Sequence, residues 1–404
     1  MERQMSEYIS ERKNEEISLL EKLVNINSGT ENIEGVEKIG EMLKPHFEAL
    51  GFKTRWENGA KATKRAGTLI AERQGKKGKR LLLIGHLDTV FPKDGPFQKF
   101  SRSGNKAFGP GVTDMKSGDV IILYALKALV AAGALENTTI RIALTGDEEN
   151  SGKPTSISRK PLVDLAKKSD IALDFEATTR GMISVGRRAT SHWMLEVKGK
   201  QGHSSVIFNE DLGNGAVFEI ARILNDMRVK LSGEKNLTFN PGIILGGTEV
   251  SFDKSTGKGN SFGKTNIIAN TAVARGDLRY LTQDQGKDAK KRIENIVAQS
   301  LPGTSATVQF EDAIPPMPPV DANLQLFKKY NEISRRLGTG ELQLQPPDLR
   351  GGGDISYIAS YVSAGLVGIG ANGTDEHSPK ETLDLDSLVI QAQRAALLIF
   401  ELTR

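Results

Sequence analysis

"LLLIGHLDTVFP", Leu81 to Pro92, decides how this chain is read. Its first four residues are apolar, a run long enough for a buried strand and too short for a helix. The run stops at Gly85-His86-Leu87-Asp88. Side chains at i and i+2 of a strand face the same way, so His86 and Asp88 share one environment. A polar strand end hydrogen-bonded to a loop would account for the pair alone. The segments on either side decide whether it does more.

Moving outward, the pattern alternates. An amphipathic helix begins at Ile17–Leu23 and ends near Asn27-Ser28-Gly29. A second runs from about Ile33 to Leu50 and is closed by Gly51. "GTLIAER" reads as a strand, joined through the basic tip "RQGKKGKR" to the run ending at His86, as in a hairpin. "SGDVIILYALKALVAAGAL" reads as a long buried helix from about Gly118 to Ala131. "TTIRIALTGDEE" and "DIALDFEA" read as strands that end in acids. Apolar strands alternating with helices imply an α/β fold, a mostly parallel sheet with helices on both faces.

Near Arg187 the character changes. "RRATSHWMLEVKGKQG" alternates like an exposed antiparallel strand. It is followed by a helix ("GNGAVFEIARILNDMR"), strand-like stretches ("LTFNPGIILGGTEV", "TNIIANTAVARGDLRYL") and another helix ("KDAKKRIENIVAQSL"). After the proline-rich stretch Pro315–Pro319, helix and strand alternate again to a terminal helix ending near Leu402. We therefore expect a catalytic domain built from residues 1–187 and 314–404, with an α+β lid or dimerisation domain, 188–313, inserted into it.

Composition excludes several classes. The 404 residues contain no cysteine, which rules out disulfides, thiolate metal sites and cysteine nucleophiles. A net charge of +4 is slight for this length and gives no argument for nucleic acid. No apolar stretch approaches ~18 residues, so no membrane span is expected. The polar N-terminus does not read as a signal peptide. A chain whose leader had been removed would read the same, so cytoplasmic and periplasmic or secreted locations both stay open.

In parallel sheets, sites form beyond the carboxyl ends of the strands. One expected strand ends at His86 and Asp88, a second at Asp147-Glu148-Glu149 and a third at Asp174 and Glu176. "GPGVTDMKSG" places Asp114 in a glycine-rich loop before the long helix, and "DEHSPKE" places His377 in a late loop. Two histidines and several carboxylates suit divalent ions bound through nitrogen and oxygen. So many acids in one low-dielectric cleft would repel each other without cations. Acids are also favoured at helix N-termini, so "TGDEE" means little without the rest. "GIGANG" has dinucleotide-loop spacing, but no helix follows it, and that reading is rejected. His46 and His192 are taken as structural.

"LLLIGHLDTV", "GPGVTDMKSG", "TGDEENSG", "DFEAT" and "EHSPKE" together resemble the metal-site segments of the zinc-dependent aminoacylase and carboxypeptidase family, metallopeptidases with a co-catalytic metal pair. "LEKLVNINSGTENIEGVEKIGEMLKPHFEALGF", "RGDLRY" and "RGGGDISYIA" resemble its glutamate carboxypeptidase (carboxypeptidase G type) branch. The resemblance implies two divalent ions per chain, zinc by family habit. Asp114 would bridge them, His86 and Glu176 would complete one site, and Glu149 and His377 the other. Asp174 shares a strand face with Glu176 and is the alternative third-strand ligand. Glu148 would be the general base and Asp88 the partner orienting His86. "GKQGHSS" resembles the family's lid segment, whose histidine, here His203, would stabilise the oxyanion in a neighbouring subunit of a homodimer. Asn266, Arg279 and the backbone of Gly351, Gly352 and Gly353 would bind the substrate's carboxylate. "GGGD" lacks the small hydroxyl residue usual before Asp354, a departure that bears on specificity. The implied activity is removal of a C-terminal, glutamate-like amino acid from a small peptide or N-acyl amino acid. An N-acyl amino-acid deacylase is the alternative, and a catalytically silent peptide-binding homologue a remote one.

Overall fold

The computed structural model describes residues 1–57, 63–178, 181–349 and 351–404. The chain divides into two compact units. The first is Met1–Val185, Pro319–Pro346 and Gly353–Arg404, and the second is Gly186–Pro318 with Pro347–Gly352.

The first unit is built on a six-stranded sheet in the order Lys53–Glu57, Thr68–Arg73, Thr138–Thr145, Lys77–His86, Ile171–Asp174, Ala364–Val367. The last four strands are parallel, and the first two add antiparallel pairs at one edge. Leu81 to His86 are buried, as is every position of Thr138–Thr145, because both strands lie inside the sheet. That is why they read as continuous apolar runs rather than alternating ones. The helix Lys116–Ala131 is buried over nearly all its length and packs against Lys77–His86 and the terminal helix Leu385–Leu402. The helices Ile33–Ala49, Lys160–Ala166 and Asp321–Arg336 also pack on the sheet. Each fully buried Leu or Ile here contributes about 1.5–3 kcal/mol.

One local expectation is corrected, and one helix was not foreseen. Thr68–Arg73 and Lys77–His86 do not form a hairpin, because Thr138–Thr145 lies between them and pairs with both. The basic run between them is still mostly exposed. The polar N-terminus is helical over Glu2–Glu11, a helix that buries only Met5 and Ile9, too sparse a pattern to read from sequence. Among the described residues no helix is long and apolar enough to cross a membrane.

The second unit is a four-stranded antiparallel sheet in the order Thr238–Gly247, Thr271–Arg279, Thr190–Lys198, Ser305–Ile314. Thr190–Lys198 is an inner strand whose alternate residues Trp193, Leu195 and Val197 are buried. They meet Ile220 and Ile223 from the helix Gly215–Leu231 and Ile293 and Ile296 from Gln283–Val297. Strand Ser305–Ile314 and the hairpin of Glu249–Asp253 with Lys258–Phe262 were not singled out in the sequence. The piece Pro347–Gly352 joins this unit rather than the first. Arg187 donates to the carbonyls of Gly351 and Gly352, and Arg188 to that of Asp348.

Candidate metal centre

Three parallel strands of the first unit end at one place. His86 closes Lys77–His86. Asp147, Glu148 and Glu149 follow Thr138–Thr145, and Glu176 lies two residues past Ile171–Asp174. Asp114 arrives from the loop before helix Lys116–Ala131, and the Asp114–Met115 peptide is cis. His377 comes from the loop before strand Thr382–Asp384 and holds φ at 61°, a sparsely populated region for a non-glycine residue. Ser378 steadies that turn by donating from its hydroxyl to the carbonyl of Asp375 at 2.8 Å.

Asp114 is the centre of the cluster. One carboxylate oxygen lies 3.0 Å from His86 Nε2 and the other 3.0 Å from His377 Nε2. His377 Nε2 is also 3.1 Å from Glu149 Oε2, and His86 Nε2 is 3.7 Å from Glu176 Oε1. His86, Asp114 and Glu149 offer ligand atoms within 4.8 Å of one another, and so do His86, Glu148 and Glu176. The structure thus places Glu176 beside His86, and gathers all five expected ligands and Glu148.

Burial and hydrogen bonding pull the charged groups of this cluster in opposite directions. Burial alone would raise Asp114, but hydrogen bonds to His377 and His86 outweigh it and hold the carboxyl far below its ordinary range. Hydrogen bonds to Asp114 and Glu149 push His377 up to about 11. Burial would lower His86, yet its bonds to Asp114 and Asp88 push it well above the ordinary imidazole value. Burial pushes Glu149 up to about 7, and burial with the charge of Glu176 pushes Glu148 well above the carboxylate range. Four carboxylates share two imidazoles, and Glu149 Oε1 is buried with no hydrogen-bond partner. A buried acceptor without a donor is costly. Divalent cations satisfy this donor set of imidazole nitrogen and carboxylate oxygen, and the residues present fit them.

The polar end of strand Lys77–His86 is held by its own neighbour. His86 Nδ1 lies 3.1 Å from the carbonyl of Asp88 and 3.4 Å from its carboxylate. The Asp88 carboxylate accepts the amides of Glu148 at 3.1 Å and Glu149 at 3.2 Å, and the Thr30 hydroxyl at 2.6 Å. Asp88 therefore holds both the histidine and the acid loop. Sequence reading missed the second support of that loop. Arg159, buried, donates to Asp147 Oδ1 at 2.6 Å and forms an ion pair with Asp354 Oδ1 at 2.7 Å. Asp354 also accepts from Thr145 at 2.5 Å. No local signal links residues 147, 159 and 354.

The remaining candidates belong to the second unit, save Gly353. His203 is exposed and pairs with Ser205 Oγ at 2.8 Å. Its loop is laddered to that of Asn266: Ser204 donates to the carbonyl of Asn266 at 2.9 Å. Arg279 Nε donates to Asp277 at 2.9 Å, the local pairing of one strand face. A methyl group on Gly351 would sit 3.5 Å from Arg279 Nη1, so those two are neighbours. At Gly352 a Cβ would meet Ile314 at 2.4 Å, which gives a packing reason for glycine there. The amide of Gly353 faces Ser356 Oγ at 3.4 Å, within the first unit. The rejected "GIGANG" segment is a loop whose Gly370 amide donates to the carbonyl of Glu176 at 2.9 Å.

Residues 82–401 match peptidase family M20/M25/M40. The chain is 30% identical over 402 residues to carboxypeptidase G2 of Pseudomonas sp. (strain RS-16), covering 96% of this chain and 89% of that protein. It is 27% identical over 326 residues to succinyl-diaminopimelate desuccinylase of Gluconacetobacter diazotrophicus, covering 76% and 78%. The fold is that of the aminopeptidase PepT structure from Bacillus cereus, with a TM-score of 0.77 at 20% identity, covering 97% of this chain and 99% of that one. With the site geometry beside them, these matches mean that this chain is a hydrolase of peptidase family M20/M25/M40.

Proposed function

We propose that this protein is a metallo-carboxypeptidase that removes a C-terminal, glutamate-like residue from a small peptide or N-acyl amino acid. The observation that carries the reading is Asp114 shared between His86 and His377, with Glu148, Glu149 and Glu176 gathered around them. The near full-length similarity to carboxypeptidase G2 supports the substrate side.

His86, Asp114 and Glu176 would hold one ion, and Asp114, Glu149 and His377 the other, zinc in both by resemblance. When bound, two such ions polarise the scissile carbonyl and acidify water. Glu148 takes the proton from the attacking water on a carboxylate oxygen and passes it to the leaving amine. A carboxylate beside the attacking water can carry the proton both ways as general base and then general acid. Asp88 keeps Glu148 in place through its amide and fixes His86. Arg279, with Asn266 and the glycines 351–353, would receive the substrate carboxylate, a guanidinium being able to bind it through two parallel hydrogen bonds.

His203 would donate to the developing oxyanion in a partner subunit. The second unit carries an exposed apolar patch that suits a homodimer. Phe208 is 62% exposed and Phe218 54%, their rings are 5.5 Å apart, and Val217 beside them is exposed as well.

The similarity to succinyl-diaminopimelate desuccinylase favours a second reading, an N-acyl amino-acid deacylase with the same metal chemistry. Assay of N-acyl and peptidyl glutamates, aspartates and neutral amino acids, with zinc, separates the two. The carboxypeptidase reading expects kcat/KM to follow the C-terminal residue and to change little with the acyl group. Dependence on a succinyl group, with indifference to the released amine, would replace it with the deacylase.

A further inference from the structure

Glu381 has no role in the reading above, yet it touches the backbone of the residue at the centre of the metal site. It closes the same "EHSPKE" stretch that carries His377, four residues on. Its side chain is fully buried. It accepts three backbone N–H groups from one loop: Gly111 at 3.1 Å, Thr113 at 2.8 Å and Asp114 at 3.0 Å. Thr113 returns a bond from its hydroxyl to the carbonyl of Thr382 at 3.1 Å. On one side the loop is rooted in Lys106–Phe108, which pairs with Thr382–Asp384, the strand that follows Glu381.

We propose that Glu381 is a positioning residue that locks the Asp114 loop to the His377 loop, so that the two ligands reach the shared metal site as one rigid part. Three geometric facts carry this. A carboxylate accepting three amides of one loop fixes that loop's path more tightly than a neutral side chain can. One of the three amides belongs to Asp114 itself, whose carboxylate must face His86 and His377 at once. The remaining chain between Glu381 and His377 is short and turned, with the amide of Glu381 on the carbonyl of Ser378 at 3.0 Å and that of Ser378 on Asp375 at 3.2 Å. A shift at Glu381 therefore moves both ligands.

This inference rests on the metal reading, and one experiment separates the two. Metal-stripped wild type, Glu381→Gln and Glu381→Ala are each titrated with zinc alone by calorimetry, with folding followed by circular dichroism. Gln keeps the length and one acceptor oxygen but turns an N–H₂ toward an amide that needs an acceptor. Wild type should bind two zinc ions. Glu381→Gln should keep its fold while its weaker zinc site loses about tenfold in affinity, and Glu381→Ala about a hundredfold, the range for residues that support metal ligands. If Ala does not fold, the Gln variant decides. Two zinc ions bound by Glu381→Gln at wild-type affinity overturn the lock and leave the metal reading standing. A wild-type chain that takes up no zinc overturns both.

Discussion

The candidate residues of the two units are held in opposite ways. In the first unit the metal-site residues are tied to one another or to Asp88, and all but the exposed His377 are buried or half-buried. In the second, His203 and Asn266 are exposed, and Arg279 is half-buried and paired with a neighbour on its own strand. Preorganised, low-dielectric groups suit bond cleavage, because their charges act strongly and need no rearrangement. Exposed, locally paired groups suit binding, since on the proposed function Arg279 would exchange Asp277 for a substrate carboxylate. On the proposed function the first unit would hold the metal chemistry, while the second would contribute substrate binding through Arg279 and an oxyanion donor in His203, a division that can be broken at either end.

The largest effect is expected at Glu148. Glu148→Gln keeps the shape and removes the base, so kcat should fall by ~10²–10⁴-fold with zinc content unchanged. If Glu148→Gln loses zinc while Glu149→Gln keeps it, the roles of base and ligand are exchanged. Next comes Arg159. Arg159→Met strands the carboxylates of Asp147 and Asp354 in the interior, and breaking a buried pair in this way costs about 3–5 kcal/mol. Denaturant unfolding of the whole chain reads that loss, and an unchanged midpoint would show that the Arg159 network does not hold the acid loop.

The second unit should respond differently. His203→Ala is expected to cut kcat by about 10²–10³-fold with zinc uptake intact, the usual effect of losing one oxyanion donor. Mixing inactive His203→Ala and Glu148→Ala chains should restore activity if the histidine serves a partner. Demonstrated subunit exchange without recovery would place His203 in its own chain or outside catalysis. Arg279→Ala should be the mildest: KM rises by about 10–100-fold for substrates with a free carboxylate, as for loss of a charged hydrogen bond, and kcat changes little. Equal loss for amidated substrates would show that Arg279 only braces its strand.

How much was legible in the sequence follows from the range of the interactions. Leu81 to His86 announced a buried strand because its apolar run and polar end are written within six residues, whereas the ligand reading of His86 needed the resemblance across five separate segments. The long helix and the strands ending in acids were equally local. The strand order was not: nothing near Thr68–Arg73 says that its partner lies at Thr138–Thr145 rather than across the basic turn. Supporting residues were hidden for the same reason. Asp354 meets Thr145 across 209 positions, and Glu381 meets Asp114 across 267. Glu381 even stood inside a quoted segment, but a carboxylate that accepts backbone amides has no partner side chain to mark it. The reading of Gly351 to Gly353 is the opposite case. Their pattern was visible, but the structure supplies a packing reason at Gly352 and ties the carbonyls of Gly351 and Gly352 to Arg187.

The rest of the proposed function depends on the cluster around Asp114 being a two-metal hydrolytic site. The most direct test strips the chain with a chelator, verifies the metal content by elemental analysis, and follows peptidase activity as zinc is returned. Activity should be absent without metal and fully recovered as occupancy approaches two ions per chain. Full activity in verified metal-free protein would contradict a two-metal site.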